Sequence, residues 1–181
     1  MTEDLEAQIA AHLATGDHAA AARAALQGYG PELLLYLRGV LQDDDAADEV
    51  FAQFSEKLWS GLPGYRARAS FRTWAHRIAG NAALDHLRGA WRRRVRRLAT
   101  VEGEQLARPS ASLPQSRARR SSLDRLKQAL SPAERALLLL RVEQGLPWRD
   151  VAEALSLPEP AVRKRFERLK RRPRLLAAQP R

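Results

Sequence analysis

The C-terminal part of the chain contains two short helical patterns joined by a tight turn, and the second pattern has a strongly basic face. The patterns cover about 147–155 and 159–172, with the turn at Ser156 and Leu157. Apolar residues recur at helical spacing in the second pattern, at Val162, Phe166 and Leu169. Its opposite face carries Arg163, Lys164, Glu167, Arg168 and Arg171. Because arginine and lysine bond guanine edges and phosphates, this face predicts contact with the major groove of DNA.

The same pattern has a plainer interpretation, an amphipathic surface helix whose basic face is solvated. The complete two-helix unit with its tight turn favours instead a helix-turn-helix that binds DNA. The first helix of this unit has apolar residues with the spacing needed to pack against the second, at Trp148, Val151, Ala152 and Leu155.

A second candidate site is a long helical segment with aromatic, amide and basic side chains on one stripe. The stripe follows a loop at 61–70 and consists of Trp74, Arg77, Asn81, Asp85 and Arg88. Asparagine pairs with adenine edges, and aromatic and arginine side chains stack on unpaired bases. The tail at 91–97 adds five arginines that can bind phosphates. From the residues alone, a nucleic-acid site and a solvated basic face explain this stripe equally well, and Trp74 also suits a core position.

The helical segment before this loop is acidic on one face, which would repel DNA. That face carries Asp45, Glu49, Gln53 and Glu56, opposite an apolar face of Ala47, Val50, Phe51, Phe54 and Leu58. A carboxylate metal cluster, a docking face for a basic protein surface and a solvated face are the three interpretations. The adjacent aspartates at 43–45 also suit the positive N-terminal end of a helix.

The sequence contains no set of residues with the spacing of an enzyme active site. Its four histidines lack metal-ligand spacing, and it has no glycine-rich phosphate loop, nucleophile elbow or cysteine. We therefore expect no catalytic residue, no metal site and no cofactor. A metal-dependent nuclease is a rival hypothesis, with Asp43, Asp44, Asp45 and Asp48 as its ligands.

Charge is distributed unevenly along the 181 residues, whose net charge is +10. Residues 1–60 hold three basic and eleven acidic side chains, whereas 61–181 hold 28 and 10; of the 31 basic side chains 27 are arginine. This asymmetry predicts a polyanion as one partner and a basic surface as another. The acidic N-terminus is unlike a secretory signal and no run has the length of a membrane span, so we expect a cytoplasmic protein.

Strong helix formers dominate the sequence and no segment alternates with period two, which predicts an all-α fold. A turn at Gly28–Pro31 is expected to separate two of the helices. The serines and prolines at 99–120 indicate a linker. Ser131 and Glu134 form a capping box. The expected helices cover about 3–15, 18–26, 32–41, 43–58, 70–91, 131–143, 147–155 and 159–172.

Three stretches resemble the extracytoplasmic-function (ECF) sigma factors of bacterial RNA polymerase. ADEVFAQF at 47–54, followed by Leu58-Trp59, resembles region 2.2 of that family. SFRTWAHRIAGNAALDHLR at 70–88 resembles regions 2.3 and 2.4, and LSPAER at 130–135 together with 145–171 resembles region 4. The resemblance covers nearly the whole chain and keeps the order and spacing of both domains.

The resemblance implies two small helical domains joined by a flexible linker. They would be a region 2 bundle at 1–98, the linker at 99–120 and a region 4 helix-turn-helix at 121–181. Such a protein binds core RNA polymerase, recognises and opens the −10 element and reads the −35 element. Region 2.2 of the family docks on the clamp helices of the largest polymerase subunit. This implies core-binding roles for Asp48, Glu49, Gln53 and Glu56.

Promoter contacts follow from the same resemblance. The −10 set is Phe71, Trp74, Arg77, Asn81 and Arg88, and the loop at 64–71 would hold one extruded base. The −35 set is Arg163, Lys164, Glu167, Arg168 and Arg171. The implied partners are core RNA polymerase (clamp helices and flap), promoter DNA and an anti-sigma factor, and in the holoenzyme the protein would lie on the nucleoid.

Some residues depart from the family pattern. Ala52 stands where many members carry glutamine, Ser156 stands where glycine is common, and Pro158-Glu159-Pro160 replaces a serine or threonine cap. The alternative function is a conventional helix-turn-helix regulator that binds duplex DNA without polymerase. That alternative leaves the acidic helix and the stripe from Trp74 to Arg88 without a role.

Overall fold

Helices make up all the regular secondary structure in the part of the chain that the computed structural model describes, residues 2–100 and 130–171, which confirms the predicted all-α class. The first part forms α1 (Thr2–Ala14), α2 (His18–Leu41), α3 (Asp44–Gly61), a 3₁₀ turn (Leu62–Gly64) and α4 (Phe71–Thr100). The second part forms α5 (Pro132–Leu138), a π-helical turn (Leu139–Glu143), α6 (Trp148–Ala154) and α7 (Glu159–Lys170). Most of the predicted linker, from residue 101, lies outside the described residues.

Helix α2 continues through the segment at Gly28–Pro31, so the prediction of a turn there was wrong. A proline inside a helix removes one backbone hydrogen bond. Packing compensates for the lost hydrogen bond. Tyr29 is buried on this turn of the helix. Helix α1 also crosses α2 so closely here that a Cβ on Gly28 would lie 2.1 Å from Leu5 Cδ2. The glycine that looked like a helix breaker instead permits a close helix crossing.

The core of the N-terminal domain lies around α2, which contacts α1, α3 and α4. The predicted apolar face of α3 is buried at Ala47, Val50, Phe54 and Leu58, and Phe51 is half-buried. Helix α4 contributes mainly small side chains, at Ala75, Ala79, Ala82 and Ala83. Small side chains such as these let helix backbones approach one another closely. Phe71 and His76 are larger side chains of α4 that are also buried.

Side-chain caps fix where several helices begin. The carboxylate of Asp43 accepts the backbone N–H of Ala46 at the start of α3. The predicted capping box is confirmed at the start of α5, where Ser131 and Glu134 each bond the other's backbone N–H. Each such cap satisfies N–H groups that have no partner within the helix.

The helix-turn-helix unit is formed by α6 and α7, which pack through the buried Val151 and Val162. The ring of Phe166, half-buried, meets Trp148 edge to face with centroids 5.2 Å apart. The turn between the helices requires Ser156 to adopt a φ of 53°, in the left-handed region that favours glycine.

The two domains lie against each other. Helix α6 packs on α4, and α5 with its π-helical turn packs on α2. Leu139 fills the space over Gly39, where a Cβ would lie 2.7 Å from Leu139 Cδ1. Arg72 of α4 donates to both the backbone oxygen and the side-chain oxygen of Gln144, each at 3.2 Å. The C-terminal domain therefore covers part of the first half of α4.

The Ser156→Gly substitution is expected to stabilise the C-terminal domain. A non-glycine residue in the left-handed region costs about 1 kcal/mol, and the extra freedom of glycine in the unfolded chain offsets part of that gain. We expect the free energy of unfolding to rise by about 0.5 kcal/mol, measured by urea denaturation with tryptophan fluorescence. Ser156→Ala is the control, because alanine keeps the strain. A glycine variant less stable than the alanine variant would contradict this account.

Candidate nucleic-acid interface

The loop before α4 is held by a cluster of three aromatic rings. The ring of Tyr65 lies 5.3 Å from that of Phe71 and 5.0 Å from that of Trp74, and Phe71 and Trp74 are 5.2 Å apart. The hydroxyl of Tyr65 donates to the backbone oxygen of Ala69 at 2.8 Å, which closes the loop on itself. Phe71 is only 1% exposed, so this predicted −10 contact lies in the core and supports the loop from beneath. Trp74 is half-buried and keeps an accessible face.

A cavity of about 440 Å³ opens beside this cluster on the α4 side. It is lined by the aromatic rings of Tyr65 and Trp74 and by three arginines, Arg66, Arg68 and Arg77. Aromatic walls suit a stacked base and guanidinium groups suit phosphates. The cavity therefore has the chemistry to hold a nucleotide, and Arg66 and Arg68 are two residues that the spacing in the sequence did not single out.

The remaining residues of the predicted stripe lie along the outside of α4. Asn81, Asp85 and Arg88 are exposed, and Asp85 pairs with Arg88 at 3.3 Å and with Lys57 of α3 at 3.5 Å. Exposed ion pairs of this kind contribute little to stability, so these side chains can exchange partners readily.

Arg77 differs from its neighbours on the stripe because the other domain binds it. Its guanidinium donates to the carboxylate of Glu153 on α6 at 2.5 Å, and Glu153 also lines the arginine-rich cavity. No sequence pattern signals this pair, since the two residues are 76 positions apart. A carboxylate thus lies where a phosphate would be expected to bind.

The acidic face of α3 is accessible to a partner. Asp48 and Glu49 are exposed; Asp48 accepts from Arg38 at 3.3 Å, and Glu49 accepts from Gln53 at 3.1 Å. Glu56 is exposed one turn beyond Gln53, which is half-buried. Among the described residues no group of three or more acidic, histidine or cysteine side chains is placed to hold a metal ion, including the aspartates at 43–48.

The five predicted contacts are all exposed, four of them on α7 and the fifth at the residue that follows it: Arg163, Lys164, Glu167, Arg168 and Arg171. Arg163 pairs with Glu159 at 2.6 Å and its guanidinium lies 5.1 Å from the Trp148 ring centroid. Glu167 pairs with Lys170 at 2.7 Å. Such exposed pairs within one helix have a weak net energy, so these side chains can exchange partners.

No helix in the described parts of the chain is both long enough and apolar enough to cross a membrane.

Comparisons with known proteins agree with this arrangement. The Sigma-70 region 2 family model matches residues 26–93, and the Sigma-70 region 4 model matches residues 120–172. ECF RNA polymerase sigma factor SigC of Mycobacterium tuberculosis is 31% identical over 138 residues, covering 74% of this chain and 69% of SigC. RNA polymerase sigma-H factor of Pseudomonas aeruginosa is 27% identical over 177 residues, covering 93% of this chain and 91% of that protein.

Another relative, ECF RNA polymerase sigma factor SigG of Mycobacterium tuberculosis, is 30% identical over 171 residues; 77% of this chain is covered, but only 44% of SigG. Two solved structures share the fold. One is CnrH in complex with the cytosolic domain of CnrY, with a TM-score of 0.62, 22% identity and 93% of each chain covered. The other is RpoE in complex with the anti-sigma factor NepR from Bartonella quintana, with a TM-score of 0.62, 18% identity, and 84% and 92% covered.

The matches to region 2 and region 4 occur in that order along the chain, each on the domain that carries the corresponding candidate contacts. SigC exceeds 30% identity over most of its own length. The chain therefore belongs to the extracytoplasmic-function sigma factors of bacterial RNA polymerase.

Proposed function

We propose that this chain binds core RNA polymerase and directs it to a defined class of promoters, by opening the −10 element and reading the −35 element. The observation that carries the proposal is the separation of three surfaces on one chain: acidic α3, arginine- and asparagine-bearing α4, and basic α7. A protein that binds only duplex DNA has no use for the first surface. We divide the chain into a region 2 domain at 1–98, a linker at 99–120 and a region 4 domain at 121–181.

Strand opening is assigned to the start of α4. Extruding one base from the duplex costs a few kcal/mol of stacking and pairing. The cavity beside Trp74 offers stacking surfaces and the guanidinium groups of Arg66, Arg68 and Arg77, which an extruded nucleotide could reach. Asn81 and Arg88 lie further along the same helix and would hold the following nucleotides of the separated strand.

The closed arrangement of the two domains has to change before this surface can hold DNA. Glu153 binds Arg77 and lines the cavity, so a phosphate can reach Arg77 only by displacing Glu153. Binding of the two domains to separate places on the polymerase would supply the energy to part them. The free protein would accordingly bind promoter DNA less well than the holoenzyme does.

The basic face of α7 is assigned to the −35 element. Arg163, Lys164, Arg168 and Arg171 are exposed there, and Glu167 between them can accept from a cytosine amino group. This helix begins at Glu159 without a side-chain cap; Pro160 has no N–H, and the N–H groups of Ala161 and Val162 donate to the backbone oxygen of Pro158. Its contacts to DNA are therefore assigned to side chains rather than to its N-terminus.

Core binding is assigned to Asp48, Glu49, Gln53 and Glu56, which would contact the clamp helices of the largest polymerase subunit. The region 4 domain would contact the flap of the polymerase. In each of the two solved structures described above a second chain is bound, and the chain bound to RpoE is the anti-sigma factor NepR. On that basis we propose an anti-sigma factor as a regulatory partner. Catalysis is left to the polymerase, and the chain contributes binding alone.

Transcription from purified components tests the proposal. Core polymerase, this protein and a promoter library from the host genome should give transcripts from a defined set of start sites that are absent without the protein. Duplex DNA binding by the protein alone, with no transcripts, would favour the conventional helix-turn-helix regulator. DNA cleavage on addition of Mg²⁺ would indicate the nuclease.

Replacing Asp48 and Glu49 together by alanine should weaken core binding. Two exposed charges that pair with a basic surface are each worth up to about 1 kcal/mol, so we expect roughly a tenfold increase in Kd. A pull-down titration or fluorescence anisotropy measures it. Replacing the exposed Glu3 and Asp4 of α1 by alanine is a charge-matched control that should leave Kd unchanged. Equal affinity of the Asp48/Glu49 variant and the wild type would remove the docking role.

Asn81→Ala should impair promoter opening while core binding stays intact. Loss of a side chain that pairs with one base costs about 1–3 kcal/mol, so the extent of opening should fall roughly tenfold or more at a subsaturating holoenzyme concentration. Permanganate reactivity of −10 thymines reports it. Gln27, an exposed amide on α2 away from the stripe, supplies the control variant Gln27→Ala. Wild-type reactivity in the Asn81 variant would exclude Asn81 from the −10 site.

A further inference from the structure

The side chain of Glu6 in α1 joins three parts of the N-terminal domain. Its Oε2 accepts the backbone N–H of Phe71 at 2.8 Å, and its Oε1 accepts the backbone N–H of Arg72 at 2.9 Å. The hydroxyl of Tyr29 in α2 donates to the same Oε1 at 2.8 Å. Glu6 itself lies outside the region 2 match, which begins at residue 26, whereas Tyr29, Phe71 and Arg72 lie inside it.

These bonds complete the N-terminal end of α4. The first turn of a helix has N–H groups without a partner inside the helix. At α4, the hydroxyl of Ser70 accepts from Thr73, and Glu6 accepts from the two residues between them. A carboxylate at this end also interacts favourably with the helix dipole. The cap of α4 thus comes partly from a helix 65 residues earlier in the chain.

Tyr29 fixes the direction of the carboxylate. Tyr29 is 3% exposed, and burial, together with the hydrogen bond to Glu6 and its charge, raises the pKa of the tyrosine well above its ordinary value. The hydroxyl therefore stays protonated and donates to Oε1 at every physiological pH. With one oxygen shared between Tyr29 and Arg72 and the other bonded to Phe71, the carboxylate has a single orientation.

Glu6 also lies behind the loop that precedes α4. A cavity of about 600 Å³ between α1 and the loop is lined by Glu6, Ile9 and Leu13 on one side and by Tyr65 and residues 67–71 on the other. Burial, with a further contribution from the Glu6 charge, raises the pKa of Tyr65 to about 12. Glu6 thus lines the same cavity as Tyr65, whose hydroxyl closes the loop and whose ring packs on Trp74.

We propose that Glu6 is a positioning residue for the −10 site: through its bonds to Phe71 and Arg72 it sets where the loop ends and α4 begins. This inference rests on the proposed function. Glu6 does not reach the DNA-facing side itself. It fixes the backbone that places Trp74 and Arg77, and a shift there would change which base fits the cavity beside them.

The test uses Glu6→Gln in the full-length protein assembled with core polymerase. Glutamine keeps the size of the side chain but replaces one accepting oxygen by a donating NH₂, so one of the two backbone bonds is lost together with the charge. Tyr29→Phe removes only the hydroxyl and leaves both backbone bonds possible. Glu3→Gln, an exposed position on the same helix, makes the same chemical change without a contact to α4.

Two promoters are compared, one with the preferred −10 sequence and one with its most strongly selected base replaced, at a temperature where every variant is folded by circular dichroism. For each protein we take the opening rate on the preferred promoter divided by the opening rate on the altered promoter. We expect this ratio to be about tenfold lower for Glu6→Gln than for the wild type. Tyr29→Phe should lower it less, and Glu3→Gln should leave it unchanged. Core affinity should stay within about twofold in all three.

A purely structural role would slow opening on both promoters equally, so an unchanged ratio overturns the proposal. Amide hydrogen exchange in the free protein tests the cap independently: Glu6→Gln should speed exchange at Phe71 and Arg72, and unaltered exchange would also overturn it. Failure of the proposed function looks different, because the wild-type holoenzyme would then open neither promoter.

Discussion

The unbroken course of α2 is the constraint on which the other elements depend. Its 24 residues contact α1, α3 and α4. Near its C-terminal end, Gly39 packs against Leu139 of the C-terminal domain. A break at Gly28–Pro31 would turn the second half of the helix away and would remove both Tyr29 and the crossing point of Leu5. The cost of one missing backbone bond at Pro31 is small beside the apolar surface that a straight α2 buries.

The charges of the chain are sorted by surface, although exposed local ion pairs occur on each of these surfaces. Helix α3 keeps its carboxylates outward at Asp48, Glu49 and Glu56, while α4 and α7 carry arginines outward. Each surface is therefore attractive to a partner of one sign. Between the domains, the partly exposed guanidinium of Arg77 on α4 pairs with the carboxylate of Glu153 on α6. Arg77, which is proposed to contact DNA, thus also takes part in the contact between the two domains, beside the packing of Leu139 over Gly39.

Local features of the fold were predictable from the sequence, and contacts between distant segments were not. Ser131 acts as a cap as predicted, because capping depends on residues three positions apart, and the aspartates at 43–45 lie at the start of a helix as predicted. The buried stripe of α7, with Val162 and Leu169, follows directly from helical spacing.

The continuity of α2 was missed because its cause, the close approach of Leu5 to Gly28, lies more than 20 residues away. The family resemblance had placed Phe71 in the −10 set, but it is buried because Tyr65 folds back over it. Glu6 and Glu153 have no local signature at all.

The ion pair between Arg77 and Glu153 has a consequence for how the affinity for DNA depends on salt. Phosphate binding releases condensed counterions, so affinity normally falls with rising salt in proportion to the number of phosphates contacted. For the phosphate contact proposed at Arg77, the guanidinium must first leave the carboxylate of Glu153, and salt weakens that competing bond as well. At this residue, rising salt weakens the bond to a phosphate and also weakens the bond to Glu153 that competes with it, so the two changes oppose each other. The number of phosphate contacts deduced from the salt dependence of the free protein would therefore be lower than the true number. For a form whose domains are already apart, the deduced number would equal the true number.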